Sequence, residues 1–468
     1  MSMIIKKLKE IVRINPNKIA YKNDEEYITY KDLYDRCNYY SRLLIKEGNG
    51  SVIIYGSKEI NVFISIISCV MAGRTYIPVD KFIPLERFKK IVKITNSSLI
   101  ISDEDILIDG IKTIRLDELE LYKNDSDKVQ DNNVAYIIFT SGSTGEAKGV
   151  PISYNNLNNF IRWISSIYPL NTYKNIKVLN QASFSFDLSV ADIYYSLFNN
   201  HTLISYTNYS NVFDIIKRES IDVCVMTPTF MKMLLLNDEF NSNNYPSLKC
   251  IYFCGEVLEK KNVLKLFDRF PNINIINAYG PTEATSAVCS ILITKDILDD
   301  EILPVGDVLK SATDIKVINN EIVLKGNSVF SGYLGNYNGG YYNENGINVY
   351  KTGDYGYIKN NKLYCSGRID SQIKYKGYRI ELNDIKNNIL KVDGIIDAEV
   401  IAKYNQDNIV KSIKAFVVLD SKYDILYVKD ELSKLLPSYM IPKTIKVLDK
   451  LPVNNNGKVD RKALSNLW

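Results

Sequence analysis

Between Thr140 and Gly149 the chain reads TSGSTGEAKG, a stretch of hydroxyls and glycines with a single lysine, Lys148. Such a stretch suits an anion. Glycines let backbone amides approach an oxyanion closely, Ser and Thr hydroxyls add donors, and Lys148 adds charge. The preceding AYIIFT reads as a strand and helical spacing follows, so the loop is expected between a strand and a helix. Open α/β sheets bind ligands at the carboxyl ends of their strands. Spacing then narrows the chemistry. A GxxxxGK[ST] phosphate loop fails, because only Glu146, Ala147 and Lys148 separate Gly145 from Gly149, and Val150 stands where that motif needs lysine. A GxGxxG dinucleotide loop fails too, with glycines at 142, 145 and 149. By its own physics the stretch is an anion-binding loop or a flexible polar connection.

Other chemistries lack their residues. The chain has one histidine, His201, so a zinc site or a Ser/His triad would have to be built from it alone. A structural or surface role is expected for it. The cysteines, Cys37, Cys69, Cys224, Cys250, Cys254, Cys289 and Cys365, are odd in number, scattered and without a CxxC pair. That pattern predicts reduced thiols and a cytoplasmic location. A net charge of +4 on 468 residues demands no nucleic acid or anionic membrane. The start, MSMIIKKLKE, has no signal-peptide core. The most apolar run, VFISIISCVMAG between Glu59 and Arg74, is too short to span a bilayer and reads as a buried helix.

The elements that must position the loop are legible in outline. SVIIYG (51–56), AYIIFT (135–140), VCVMT (223–227), KCIYF (249–253) and INIINA (273–278) are near-continuous apolar runs, which suits a parallel sheet covered on both faces. Leu157, Phe160, Ile161 and Ile164 share one helical face. The alternation predicts an α/β fold. From about residue 310, short strands with Asn319-Asn320 and Asn360-Asn361 turns predict hairpins. Beyond Arg368 come a helix ending near Gly394, strands AEVIAKY and IKAFVVL, and a final helix over 425–436. The expected division is a core of 1–369 and a small α+β domain of 370–468.

YIIFTSGSTGEAKGV (136–150) closely resembles the signature of the adenylate-forming superfamily of acyl-CoA synthetases, luciferases and nonribosomal peptide adenylation domains. Further strings resemble it in the right order: ITYKDL, VMAGRTYIPVD, FSFDLSVADIY, NAYGPTEAT, YKTGDYGYI, GRIDSQIKYKGYRIEL, LPSYMIP and NNGKVDRKAL. The resemblance covers almost the entire chain. It implies a large N-terminal domain of layered sheets and helices with a small, mobile C-terminal lid. It also implies a two-step reaction with ATP and Mg²⁺, in which a carboxylate becomes an acyl-adenylate and a thiol then takes the acyl group. Carried over position by position, Thr140, Ser141, Gly142, Ser143 and Thr144 would cradle the phosphates, with Lys148 peripheral. Asn277, Ala278, Tyr279, Gly280, Pro281 and Thr282 would hold adenine and α-phosphate, Tyr279 lying against the ring. Glu283 would hold Mg²⁺, a hard cation that prefers oxygen ligands. Asp354 would take the ribose hydroxyls, and Arg368, near Cys365, the ribose or phosphate region. Lys458 would bridge substrate carboxylate, ribose and α-phosphate, and Asp370 would be the hinge that lets Lys458 leave before thiol attack.

Within that superfamily an aspartate in the FD element marks amino-acid substrates. Asp187 would pair with the α-ammonium, a role that justifies a desolvated carboxylate. The bland alternative is a helix N-cap. YGSKEINVFISIISCVMAGRTYIPVDKFIP, LNQASFSFDLSVADIY and FCGEVLEKKNVLKLFDRFP look closer still to the D-alanine–D-alanyl carrier protein ligases, which load D-alanine for teichoic-acid esterification. There Cys254 would lie beside the substrate side chain, with Leu188, Ala191 and Ser286 as further pocket residues. Ser286, Ala191 and Ala278 depart from that family's usual valine, methionine-like residue and threonine, which implies a roomier or more polar pocket. The resemblance implies a phosphopantetheinylated carrier protein as a separate partner, since only residues 459–468 follow Lys458. No nucleic acid and no membrane insertion are expected, and the expected state is a monomer. Alternatives are a free-standing adenylation enzyme for another amino acid in nonribosomal peptide biosynthesis, an acyl-CoA synthetase, and a non-catalytic nucleotide-binding homologue.

Overall fold

The structure, a computed structural model, describes residues 3–106, 108–115, 133–142, 147–300, 302–335, 337, 339–370, 372–405, 409–453 and 459–467. The chain folds as two compact units. The first comprises Met1–Lys81, Ile94–Ile138 and Gly149–Ser366; the second comprises Phe82–Lys93, Phe139–Lys148 and Gly367–Trp468.

The first unit is built on three sheets. One runs in the order Cys289–Leu292, Asn274–Tyr279, Cys250–Phe253, Val223–Met226, Lys177–Asn180, Thr202–Ile204, Ile19–Lys22 and Tyr27–Thr29. Its inner pairs are parallel, and the two outermost pairs are antiparallel. The apolar runs are strands because both faces are covered. Along Cys250–Phe253, Cys250 and Tyr252 enter one buried cluster, and Ile251 and Phe253 enter another on the opposite face. The second sheet has the order Lys112–Ile114, Leu99–Ser102, Val52–Tyr55, Tyr76–Val79, Val134–Thr140 and Lys148–Ser153. The helices Ile60–Ala72 and Leu188–Phe198 are apolar nearly all round and buried, as such composition demands.

The third sheet pairs Gly306–Asp307, Lys362–Arg368, Ile347–Lys359, Glu321–Lys325 and Asp314–Ile318, with Tyr341–Glu344 added to Ile347–Lys359. Its Asn-Asn hairpins form as expected. Asn319 and Asn320 have φ of 52° and 65°, and Asn360 and Asn361 have 51° and 62°. Asparagine tolerates that left-handed backbone, which tight hairpins require.

Two expectations are corrected. The TSGSTGEAKG stretch leads into a strand, Lys148–Ser153, and only then into the helix Tyr154–Ile164. Val150 and Ile152 bury their side chains, and Pro151 is tolerated because this strand lies at the sheet edge. The helix 425–436, observed as Ile425–Leu435, is not the last; Arg461–Asn466 follows. Its start is capped by Asp460, whose carboxylate accepts from the amides of Lys462 and Ala463, and Leu464 anchors it in the core.

The second unit carries the hairpin Gln372–Tyr375/Tyr378–Glu381 and a three-stranded sheet of Ile395–Tyr404, Val410–Leu419 and Thr444–Val447. The helices Leu382–Ile389 and Ile425–Leu435 share its apolar core. Among the described residues no helix is long and apolar enough to cross a membrane.

His201 is fully buried, and among the described residues neither ring nitrogen has a hydrogen-bond partner. Its ring packs against that of Tyr195, with centroids 5.1 Å apart, and its carbonyl accepts from the Tyr30 hydroxyl at 2.7 Å. Burial, then the charges of Lys18 and Lys174, hold the imidazole down at about 3 from 6.5. Between those values the unfolded chain binds a proton that the folded chain refuses, so stability falls as pH drops through the window. Roughly 2 kcal/mol should be lost between pH 6.5 and pH 5 from this one group. Urea unfolding of His201→Phe across that range is expected to show a correspondingly shallower pH slope. An unaltered slope would mean that the folded imidazole ionises freely.

Candidate active site

The strand Asn274–Tyr279 delivers NAYGPTE at its carboxyl end, where a parallel sheet presents its ligand-binding edge. Asn277 is fixed by donating its side-chain amide to the Pro304 carbonyl at 2.8 Å. Ala278 is buried, and the Tyr279 hydroxyl donates to the Asp354 carboxylate at 2.6 Å. Burial first, then Asp354 and Cys365, push the Tyr279 phenol well above its ordinary value, so it stays a donor. Asp354, itself 2% exposed, is oriented further by its backbone amide, which donates to the Thr352 hydroxyl.

Gly280 has no alternative residue. A Cβ there would lie 2.4 Å from the Ala287 Cα, because the chain turns back across it. That return passes through the short helix Thr282–Ala284, after Pro281, and then through Thr285 and Ser286 at φ of 64° and 69°. Consecutive non-glycine residues in the left-handed region cost of order 1 kcal/mol each and persist only when held. The Thr285 hydroxyl donates to the Ser328 carbonyl at 2.9 Å, and the Cys254 thiol donates weakly to the Ser286 carbonyl at 3.9 Å. Glu283 is wholly buried, and the Tyr333 hydroxyl donates to its carboxylate at 2.5 Å. The Phe330 amide donates to the Glu283 carbonyl at 2.8 Å.

Asp187 opens the helix Leu188–Phe198 but does not cap it: its backbone is already helical (φ −64°, ψ −22°) and its side chain accepts no cap hydrogen bond. It is half-buried, and its charge reaches the buried Tyr136 phenol. Leu188 and Ala191, one helical turn apart, enter the same buried cluster as Cys254, Ala278 and Tyr279.

The first unit therefore gathers Asn277 to Glu283, Ser286, Cys254, Asp354, Cys365 and the Asp187 helix. Thr140, Ser141, Gly142, Arg368 and Asp370 fall in the second unit. There the Ser141 hydroxyl donates to the Arg379 carbonyl at 2.8 Å and accepts from the Glu381 amide at 3.0 Å. Lys148 pairs with Glu381 at 3.7 Å. Arg368 grips Asp370 through two bonds of 2.7 and 2.6 Å. Although burial raises it, that grip holds the Asp370 carboxyl below its ordinary value. Ser143, Thr144 and Lys458 lie outside the described residues.

A family profile described as AMP-binding enzyme matches residues 8–334, and one described as AMP-binding enzyme C-terminal domain matches 384–458. The chain belongs to the AMP-binding enzyme family. As such it is an AMP-forming ligase, and membership implies ATP as a substrate. The family's relatives include the D-alanine–D-alanyl carrier protein ligase of Listeria monocytogenes serotype 4b, 35% identical over 99% of this chain and 98% of the relative. The Staphylococcus epidermidis protein of the same name is 36% identical over 99% of both chains. Among solved structures, the Vibrio cholerae adenylation domain AlmE, in complex with glycyl-adenosine-5'-phosphate, superposes with a TM-score of 0.85 at 21% identity, covering 100% of this chain and 98% of that one. An NRPS protein containing adenylation and PCP domains also gives 0.85, at 19% identity over 99% and 84%. These last two show the fold.

The AMP-binding enzyme also contains polar residues that motif reading did not single out. Lys58 is buried, donating to the carbonyls of Asn180 at 3.2 Å and Gln181 at 2.9 Å, with its ammonium 4.3 Å from the centre of the Tyr206 ring. Asn180 in turn donates to Asp192 at 2.8 Å and accepts from Ser205 at 3.0 Å. Burial pushes Lys58 down to about 8 and Asp192 upward. This network ties the carboxyl end of Lys177–Asn180 to the Asp187 helix. Its one visible signal was Asp192, a carboxylate inside the otherwise apolar LSVADIYYSLF.

Proposed function

We propose that this AMP-forming ligase activates a small amino acid as its aminoacyl-adenylate and transfers it to the phosphopantetheine thiol of a separate carrier protein. Asp187 carries the amino-acid part. It is half-buried at the start of a helix that it does not cap, and a desolvated carboxylate facing a substrate ammonium makes a strong, directional anchor. The relatives named as D-alanine–D-alanyl carrier protein ligases support D-alanine as lead substrate and the carrier as acceptor, and the resemblance of the motifs implies teichoic-acid esterification as its destination. Ser286, Ala191 and Ala278 favour a second reading, a free-standing adenylation enzyme for another small amino acid.

In the first half-reaction the substrate carboxylate attacks the α-phosphorus of ATP and pyrophosphate leaves; in the second a thiol attacks the acyl carbon and AMP leaves. Charge grows on the phosphoryl oxygens and the leaving group, and preorganised donors stabilise it. Asn277 to Thr282 would seat the nucleotide base and α-phosphate, and Asp354, held by Tyr279, the ribose. Thr140 to Thr144 would take the β- and γ-phosphates, Arg368 the ribose or phosphate region beside Cys365, and Lys458 the reacting oxygens. Glu283 fits a divalent cation. Among the described residues no cluster of three or more metal-ligating side chains gathers. Mg²⁺ commonly takes one or two carboxylates and draws its other ligands from phosphate and water, which a single buried glutamate beside the nucleotide satisfies. Bound there it would neutralise phosphate charge. Rotation of 370–468 about Asp370 would exchange Lys458 for the thiol between the half-reactions.

The test is amino-acid-dependent ATP–pyrophosphate exchange over a panel of D- and L-amino acids, aryl acids and fatty acids. Exchange with a small amino acid alone is expected. Exchange only with aryl or fatty acids, or none while ATP binds, sinks the reading.

A further inference from the structure

Asp187 closes an irregular link. Gln181 to Asp187 join the strand Lys177–Asn180 to the helix Leu188–Phe198 and belong to neither. The first bonds on that link come from a buried cation on a distant part of the chain. The Lys58 ammonium donates to the Gln181 carbonyl at 2.9 Å and to the Asn180 carbonyl at 3.2 Å. The other end of this lysine is fixed as well. It stands just before the helix Ile60–Ala72, and its own carbonyl accepts from the buried Tyr21 hydroxyl at 2.7 Å. Lys58 is thus a strut between two parts of the first unit.

From that strut hydrogen bonds run on to Asp187. The Asn180 side chain donates to the Ala182 carbonyl at 3.0 Å and to the Asp192 carboxylate at 2.8 Å, so it joins the start of the link to the helix that follows it. The Ser183 hydroxyl donates to Asp80, and the Ser183 carbonyl accepts from the Phe186 amide at 3.0 Å. The Phe186 carbonyl accepts from the Ser189 hydroxyl at 2.7 Å. Asp187 sits between those last two residues. A charge-assisted pair is directional, and the residues behind it must hold its members within about 0.5 Å of the productive geometry.

Resting on the ammonium role proposed for Asp187, we infer that Lys58 is a positioning residue. By holding the carbonyls of Asn180 and Gln181 it sets the course of the link and so the place where Asp187 meets the substrate ammonium. It acts through Asp187 and not on the nucleotide.

The experiment is a double-mutant cycle in pyrophosphate exchange by the full chain, with the best amino acid of the panel above: Lys58→Met and Asp187→Ala, singly and together. Methionine fills the same straight volume. Without the Lys58 charge the buried Asp192 carboxyl, already pushed upward by burial, takes a proton, and the helix stays packed through Leu188, Val190 and Ala191. Lys58→Met should lower kcat/KM for the amino acid about tenfold, less than the roughly 100-fold that a misplacement of about 1 Å can cost. KM for ATP should stay within about twofold, and on the Asp187→Ala background the same change should cost less than about twofold, because two residues that act as one are not additive. Lys58→Gln, which keeps a donor toward the carbonyls, should lose less, and it carries the same cycle if the methionine variant does not fold. An equal tenfold loss on both backgrounds, no loss on either, or a matching rise in KM for ATP overturns the inference while the amino-acid reading stands. Unaltered amino-acid dependence in Asp187→Ala overturns both.

Discussion

Asp187→Ala should lower kcat/KM for the amino acid about 100-fold, through a higher KM and a lower kcat, in pyrophosphate exchange. Truncating one partner of a desolvated, hydrogen-bonded charge pair costs roughly 3 kcal/mol, much of it the penalty of leaving the other charge unpaired. In the role proposed for Asp187 that other charge is the substrate ammonium, so the loss should appear only with substrate bound. The fold itself should tolerate the change, because the Asp187 side chain makes no cap hydrogen bond and the helix beyond it is anchored by buried Leu188, Val190 and Ala191. ATP affinity should move little, which separates loss of an ammonium partner from general damage. If amino-acid dependence were unaltered, Asp187 would lose its role, and the amino-acid class would lose its main physical support.

Lys458→Ala should reduce adenylation at least about 100-fold while leaving thioester formation from supplied aminoacyl-adenylate largely intact. A cation aimed at charge that develops in the transition state supplies stabilisation of that order. The second half-reaction displaces AMP from carbon rather than pyrophosphate from phosphorus, and it has no need of the same cation. Lys458 lies outside the described residues, but the C-terminal family match runs to residue 458. Single-turnover assays of each half-reaction are the measurement. Equal loss of both would argue against a lid that changes place between steps.

The signals differed in how far each could be read. Continuous apolar runs such as VIIY and CIYF became parallel strands, and Asn319-Asn320 and Asn360-Asn361 became left-handed hairpin turns. These are local effects: burial on both faces and the backbone tolerance of asparagine act within a few residues. KGVPIS escaped because a short edge strand containing proline has no local signature apart from its pairing partner. The final helix escaped because its cap, Asp460, sits amid short-range polar residues and its one anchor, Leu464, becomes apolar contact only in the folded unit.

The site divides in the same way. Motif order in the chain determined the family, the AMP-forming chemistry and the candidate list from Thr140 to Lys458, because those strings are contiguous. Only tertiary structure decided that Tyr279 holds Asp354, that Tyr333 holds Glu283, and that Lys58 and Asn180 brace Asp192. Each of these joins residues from different elements. Whether a polar side chain is a solvated surface group or a buried group in need of a partner depends on what packs over it, and no stretch of sequence carries that information by itself.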